Sequence, residues 1–222
     1  MQNLPTAETY SNEVKYMPWG ILIEQIEEII LDRVPQNGSV VDLLCGTGNM
    51  LGKLYSNRPD VAYKGVDLET NYISYAKKHF PSIDFEVADV LTWQSMIKFD
   101  VVLCTGGLHH LPYDKQEQFL CKISSLIKDN GFAIIGDPYI PDYASEKDRK
   151  LASSKLGYEY LTATIMNGAT DDVIKAAADL IPNDIFLTEF KTSLDKIQPL
   201  FKRSFTNVEI HKTWGVDDYG DY

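Results

Sequence analysis

Between residues 38 and 137, short apolar runs alternate with amphipathic stretches, and this alternation restricts the fold more than any other feature of the chain. The candidate strands are Ser39–Leu44, Ala62–Asp67, Ile83–Ala88, Phe99–Thr105 and Phe132–Asp137. Most are continuously apolar, the pattern of parallel strands covered on both faces. Helices are predicted between them over Met50–Ser56, Asn71–His79 and Lys115–Ile127. Thr70 or Asn71 is the expected cap of the second, and Gly131 the expected stop of the third. The pattern predicts an α/β fold, a doubly wound and mostly parallel sheet with helices on both faces.

The flanks of this core, residues 38–137, divide into three further segments. Residues 1–37 read as a helical segment or flap, with apolar positions Ile21, Leu22, Ile26, Ile29 and Ile30 at helical spacing. The aromatic group Tyr10, Tyr16 and Trp19 precedes them, with Pro18 as a breaker. Residues 138–192 read as a helical cap, clearest at Ala152–Thr164 and Asp171–Leu180, since so long a connection usually carries structure of its own. Its aromatics Tyr139, Tyr143, Tyr158, Tyr160 and Phe186 would line an apolar pocket or pack the cap's own core. Residues 193–222 read as a helix, Ser193–Phe201, an edge strand, Asn207–Trp214, and an acidic frayed tail from Val216.

A chain of 222 residues can bury a substantial core. With 44% hydrophobic and 24% charged residues it sits near the soluble average. No apolar run approaches the roughly 20 residues of a membrane span. The stretch Met1–Pro5 lacks a basic-then-apolar leader pattern, so a cytoplasmic location is expected. The net charge of −11, with scattered Lys and Arg, argues against nucleic acid as a partner. Oligomeric state is open. Cys45, Cys104 and Cys121 have no C-x-x-C spacing, so buried thiols are expected rather than a disulfide framework or a metal site.

The chemistry gathers at strand ends. The first strand runs through Val40-Val41-Asp42-Leu43-Leu44 into Cys45-Gly46-Thr47-Gly48. Glycines there let backbone N–H groups approach a ligand, and Asp42 suits an ammonium-bearing one. A dinucleotide site would place a third glycine to open the helix, but Asn49-Met50-Leu51-Gly52 puts it out of place, which disfavours a nicotinamide oxidoreductase. The second strand ends in Gly65-Val66-Asp67-Leu68, and the third in Ala88-Asp89-Val90. An acid at the second tip is placed to accept from ribose hydroxyls.

These residues resemble the class I S-adenosylmethionine-dependent methyltransferases. Val41–Gly48 is similar to their first motif, Gly65-Val66-Asp67 to their ribose site, and Ala88-Asp89-Val90 to their adenine motif. Phe99–Val102, Leu108-His109-His110-Leu111 and Leu126–Phe132 are similar to their fourth strand, the loop after it, and the approach to the fifth. The resemblance covers about residues 38–137 and implies a Rossmann-like fold with S-adenosyl-L-methionine as cofactor and S-adenosyl-L-homocysteine as product. It implies that Asp42, Gly46, Thr47 and Gly48 face the methionyl part, Asp67 the ribose, and Asp89 the adenine amino group. Leu68 and Val90 would flank the adenine, Thr105 and Gly106 would lie near the sulfonium, and Tyr16 in the leading segment would cover the cofactor.

Two departures stand out. Leu44 occupies a position usually held by Gly or another small residue. The family closes its sheet with an antiparallel sixth and seventh strand, for which only Asn207–Trp214 is a good candidate and Asp184–Thr188 a second. His109 and His110 are the candidate general bases, matched to the task by an ordinary pKa near 6.5, with Asp137 and Tyr139 as alternatives; Lys15 and His211 have no constellation. Thr105-Gly106-Gly107-Leu108 stands where amino-methylating DNA enzymes carry Asp/Asn-Pro-Pro-Tyr. Together these imply methyl transfer to a small-molecule acceptor without metal, or else a catalytically silent cofactor-binding or protein-interaction module of the same fold.

Overall fold

The computed structural model describes residues 4–186, 188–216 and 218–222. Five strands form one wholly parallel sheet in the order β3-β2-β1-β4-β5: β1 Ser39–Leu43, β2 Ala62–Asp67, β3 Asp84–Val87, β4 Phe99–Thr105 and β5 Ile127–Gly136. The expected α/β architecture is present. The order reverses between β1 and β4, the switch at which open parallel sheets form a crevice beyond the strands' carboxyl ends. Between the strands run α3 Asn49–Asn57, α4 Thr70–His79 and α5 Tyr113–Ser125. For right-handed crossovers, the reversal of strand order puts α3 and α4 on one face of the sheet and α5 on the other.

The chain clusters into two compact units. The sheet unit comprises residues 23–108 and 117–136, and its core is the continuous apolar runs: Val40, Val41, Leu43, Val66, Val101, Val102, Leu103 and the facing Leu51, Leu54, Ile73, Phe119 and Ile123 are buried. Fifth-strand pairing starts earlier than expected, at Ile127 opposite Phe99, and resumes at Phe132 opposite Val101 across a register irregularity. Gly131 is therefore a strand residue rather than a helix stop. A Cβ there would stand 2.6 Å from the Asp100 carbonyl oxygen. The cap of α4 is Glu69, whose side chain accepts the Asn71 N–H, rather than Thr70 or Asn71.

The second unit comprises residues 1–22, 109–116 and 137–222. The leading segment holds two helices, α1 Ala7–Glu13 and α2 Trp19–Arg33, and α2 continues into the sheet unit. Thr9 Oγ1 donates to Asp172 Oδ2 at 2.8 Å, tying α1 to α7 Asp171–Ile185. Helix α6 Glu146–Met166 packs on α7, with Gly157 against Ile181. Helix α8 spans Leu194–Ser204.

The expected edge strand Asn207–Trp214 is absent: Val208 and Ile210 are exposed, and only Trp214 bridges, to Asp221. Its alternation had no buried surface to face. The second candidate, Asp184–Thr188, gives Asp184 and Ile185 to the end of α7, while Leu187 lies outside the described residues. The described end of the tail, residues 218–222, is ordered rather than frayed. Gly220–Asp221, β7, pairs antiparallel with Pro138–Tyr139, β6, and Tyr219 and Asp221 are buried. Gly220 turns into that pair at φ 122°, a conformation that favours glycine. Among the described residues, no helix is long and apolar enough to cross a membrane.

Candidate functional site

At the carboxyl end of β1 the chain bends sharply, with Leu44 at φ 66°, Gly46 at 53° and Gly48 at 78°. A left-handed backbone costs a non-glycine residue about 1–2 kcal/mol, the physical reason a glycine suits position 44. Two bonds hold the bend in place: the N–H groups of Leu44 and Cys45 donate to the Val66 carbonyl at 2.8 and 3.2 Å. Gly48 then opens α3, and a Cβ on it would stand 2.6 Å from the Phe85 ring.

The acids at the strand tips divide their tasks. Asp67 Oδ2 accepts the Gly46 N–H at 2.8 Å and Oδ1 accepts the Glu69 N–H at 2.8 Å, so this carboxylate ties the second strand tip to the glycine turn. Burial pushes its pKa upward. Asp89 Oδ1 accepts the Leu91 N–H at 2.9 Å, closing its own turn two residues beyond β3. Lys122 Nζ steadies that turn through the Val90 and Leu91 carbonyls. Leu68 is 64% exposed and presents an apolar face, whereas the Val90 side chain is 2% exposed and already packed.

Three buried polar atoms at the ends of β1 and β4 have no partner among the described residues: Asp42 Oδ1, Thr47 Oγ1 and Thr105 Oγ1. Burial, and then the Asp67 charge, push the Asp42 carboxyl up to about 8. Orphaned buried acceptors and hydroxyls cost about 1–3 kcal/mol each unless a ligand satisfies them. An ammonium- and hydroxyl-bearing ligand fits this set. Gly106 stands at φ 63° with open space at its missing Cβ, and a Cβ on Gly107 would lie 2.8 Å from Leu44 Cβ. The two sides of the switch thus touch through Leu44.

In the second unit, His109 and His110 head a buried polar group. The His109 backbone N–H donates to Asp137 Oδ2 at 3.1 Å, and its Nδ1 pairs with Asp137 Oδ1 at 2.9 Å. Its Nε2 lies 3.8 Å from Glu189 Oε2. Lys191 Nζ bonds Glu189 Oε2 and stands 3.1 Å from Asp184 Oδ2. The Lys191 ammonium holds the Glu189 carboxyl down near 2 against the opposing effect of burial. The His110 ring lies tilted by 52° to that of His109, with centroids 4.1 Å apart; among the described residues its buried Nδ1 has no partner, and burial pushes its pKa down to about 3. It is a neutral acceptor.

Glu189, Lys191 and Asp184 carry no motif, and nothing in their spacing marks them; only the fold brings them to His109. Asp137 had been visible as an acid just after the fifth strand. Tyr16 packs against the apolar core of this second unit, beside the cluster of Met17, Ile140, Leu156 and Tyr160, and its carbonyl accepts from Asn167. Tyr139 and Tyr160 are buried in that unit and Tyr143 packs on its core, while Tyr158 and Phe186 are exposed. These aromatics build the core of the cap more than they line a pocket. Cys45 and Cys104 are buried, whereas Cys121 is exposed, and none forms a disulfide.

A parallel sheet with an orphaned polar cradle at its switch point defines a ligand-binding α/β protein. Residues 40–131 match the family model described as a methyltransferase domain. The carboxy-S-adenosyl-L-methionine synthase of Campylobacter hominis is 29% identical over 133 residues, 58% of this chain and 54% of that protein. A trans-aconitate 2-methyltransferase of Escherichia coli is 31% identical over 111 residues, 49% of this chain and 43% of that one. The crystal structure of the YcgJ protein from Bacillus subtilis covers 84% of this chain and 67% of its own, with a TM-score of 0.55 at 16% identity, which speaks to the fold alone. The chain is thus similar, over residues 40–131, to a methyltransferase domain. It spans about half the length of the curated relatives it matches.

Proposed function

We propose that this protein transfers the methyl group of S-adenosylmethionine to a small-molecule acceptor. The orphaned set of Asp42 Oδ1, Thr47 Oγ1 and Thr105 Oγ1 carries the reading, because it asks for the ammonium and polar groups of an amino-acid-bearing ligand. Asp42 would take the ammonium, the Gly46–Gly48 backbone would line the methionyl part, and Asp67 would combine holding the turn with accepting from the ribose. Leu68 supplies an apolar face for the adenine ring, and Asp89 positions the turn beside it. The cofactor supplies an activated methyl on a sulfonium, so the protein's work is alignment, exclusion of water and, for a hydroxyl or ammonium acceptor, removal of a proton.

That proton falls to His109. Asp137 holds its Nδ1, which leaves Nε2 as the basic atom, and His110 offers a neutral acceptor beside it. Residues 138–192 are assigned as the acceptor-covering cap. A small acceptor is supported by the acidic charge and by the relative named for methylating trans-aconitate. Leu44 does not favour a silent module, since its backbone adopts the left-handed turn with the leucine in place.

Calorimetric titration with S-adenosylhomocysteine, followed by transfer of labelled methyl to a panel of small carboxylic acids, alcohols and amines, tests the reading. Saturable binding with label in an acceptor is the expected result. Binding without any transfer would support the silent module, and a mass gain on the cofactor itself would point to chemistry like that named for the Campylobacter relative.

A further inference from the structure

We infer that His109, His110 and Glu189 form a binding site for a divalent transition-metal ion. Each offers one ligand atom, and the three atoms lie within 4.8 Å of one another. Two imidazoles and one carboxylate suit zinc or ferrous iron and leave further coordination positions open.

Two independent observations separate this group from an ordinary buried polar network. His110 Nδ1 is buried and has no partner among the described residues, so the network they form is incomplete without a ligand. His109 is backed by Asp137 on Nδ1 at 2.9 Å, the carboxylate–histidine arrangement that fixes a metal-binding tautomer and leaves Nε2 for the ion. That Nε2 lies 3.8 Å from Glu189 Oε2. Ligand atoms sharing an ion at about 2.0–2.2 Å stand roughly 3.3 Å apart, so binding draws the set inward by side-chain rotation. Charge permits it: the carboxylates of Asp137, Asp184 and Glu189 surround the group, with the Lys191 ammonium opposing them at Glu189 and Asp184.

Metal binding stands independently of methyl transfer; its role does not. If the proposed function is right, an open position would take an acceptor oxygen, the ion would lower that oxygen's pKa so that its proton passes to solvent water, and His109 Nε2 would serve as a ligand in place of a base. This extension rests on that reading.

The test is a titration of the chelator-stripped full chain with Co2+, read by visible ligand-field absorption, and with Zn2+, read by calorimetry. One equivalent should bind, with a band indicating nitrogen ligation. His110→Ala and Glu189→Gln should each weaken binding at least tenfold, and Asp137→Asn by about 10–100-fold through His109. S-adenosylhomocysteine binding in the same samples reports that the fold persists. No band in the wild-type protein overturns the site, whether or not any variant folds. Unchanged affinity in folded His110→Ala and Glu189→Gln does so as well. A bound metal with no methyl transfer under any condition would leave the site standing and remove the methyltransferase reading, whereas transfer unaffected by chelation would remove only the metal's role.

Discussion

Asp67 Oδ2 accepts the Gly46 backbone N–H at 2.8 Å, so the acid at the tip of the second strand holds the glycine turn at the tip of the first. An Asp67→Ala change therefore removes a ligand contact and loosens the turn together. The loss of charge-assisted hydrogen bonds should cost about 1.5–3 kcal/mol of cofactor affinity, roughly 10- to 150-fold. Calorimetry with S-adenosylhomocysteine measures it, and undiminished affinity would mean that neither the turn nor the ribose depends on this carboxylate.

Leu44 and Gly107 are coupled by contact. A methyl on Gly107 would meet Leu44 Cβ at 2.8 Å, so Gly107→Ala should destabilise the protein by about 1–3 kcal/mol. Leu44→Gly relieves a left-handed leucine but gives up its apolar packing, so its own effect should stay within about 1 kcal/mol. In the Leu44→Gly background the Gly107→Ala cost should fall by at least about 0.5 kcal/mol. Denaturant unfolding of the four proteins closes the cycle. Additive changes would show that the two residues do not press on one another.

Asp42 ties stability to pH. Its carboxyl is raised from 3.8 to about 8, chiefly by burial, so the native state holds a proton that the unfolded chain releases. The stabilisation is complete below the unfolded value and is lost as pH rises from about 4 to 8. Asp42→Asn stays neutral throughout, and should match the wild type near pH 4.5 but exceed it by about 1–3 kcal/mol near pH 8 in the absence of cofactor. The same change should weaken cofactor binding at pH 8, where the carboxylate meets an ammonium. Melting curves across pH with and without S-adenosylhomocysteine read both effects, and a gap that does not widen with pH contradicts the assignment.

The sheet was legible because strands buried on both faces must be continuously apolar, and the tip residues Asp42, Asp67 and Thr105 follow directly from where such runs end. What sequence could not show was pairing that lies far apart in the chain. Asn207–Trp214 alternates as a strand does, yet the partner of Pro138–Tyr139 is Gly220–Asp221, two residues with no strand propensity, paired through a glycine at φ 122°. Leu44 was visible as a departure, but its meaning needed the backbone angle. Glu189 and Lys191 stand in a connection without periodicity, and the approach of Glu189 to His109 depends on tertiary packing alone.

His109 and His110 differ in what surrounds them, and that difference should appear in their variants. Asp137 fixes His109 at both its backbone N–H and its Nδ1, at 3.1 and 2.9 Å, so the ring is held with Nε2 directed toward Glu189 Oε2, 3.8 Å away. His109→Gln should lower turnover on the order of 10²–10⁴-fold while S-adenosylhomocysteine affinity stays constant. Asp137→Asn keeps the size of the side chain but weakens the hold on the ring, so it should lower turnover in the same direction and shift the pH profile of the reaction. His110 carries an unpartnered Nδ1 and a pKa pushed down to about 3, so it remains neutral across the working range and cannot set a pH limb. His110→Gln should therefore raise KM for the acceptor with little change in the shape of the profile. Steady-state rates from pH 5 to 9 separate the roles: a pH limb abolished by the His110 change and kept by the His109 change would reverse them.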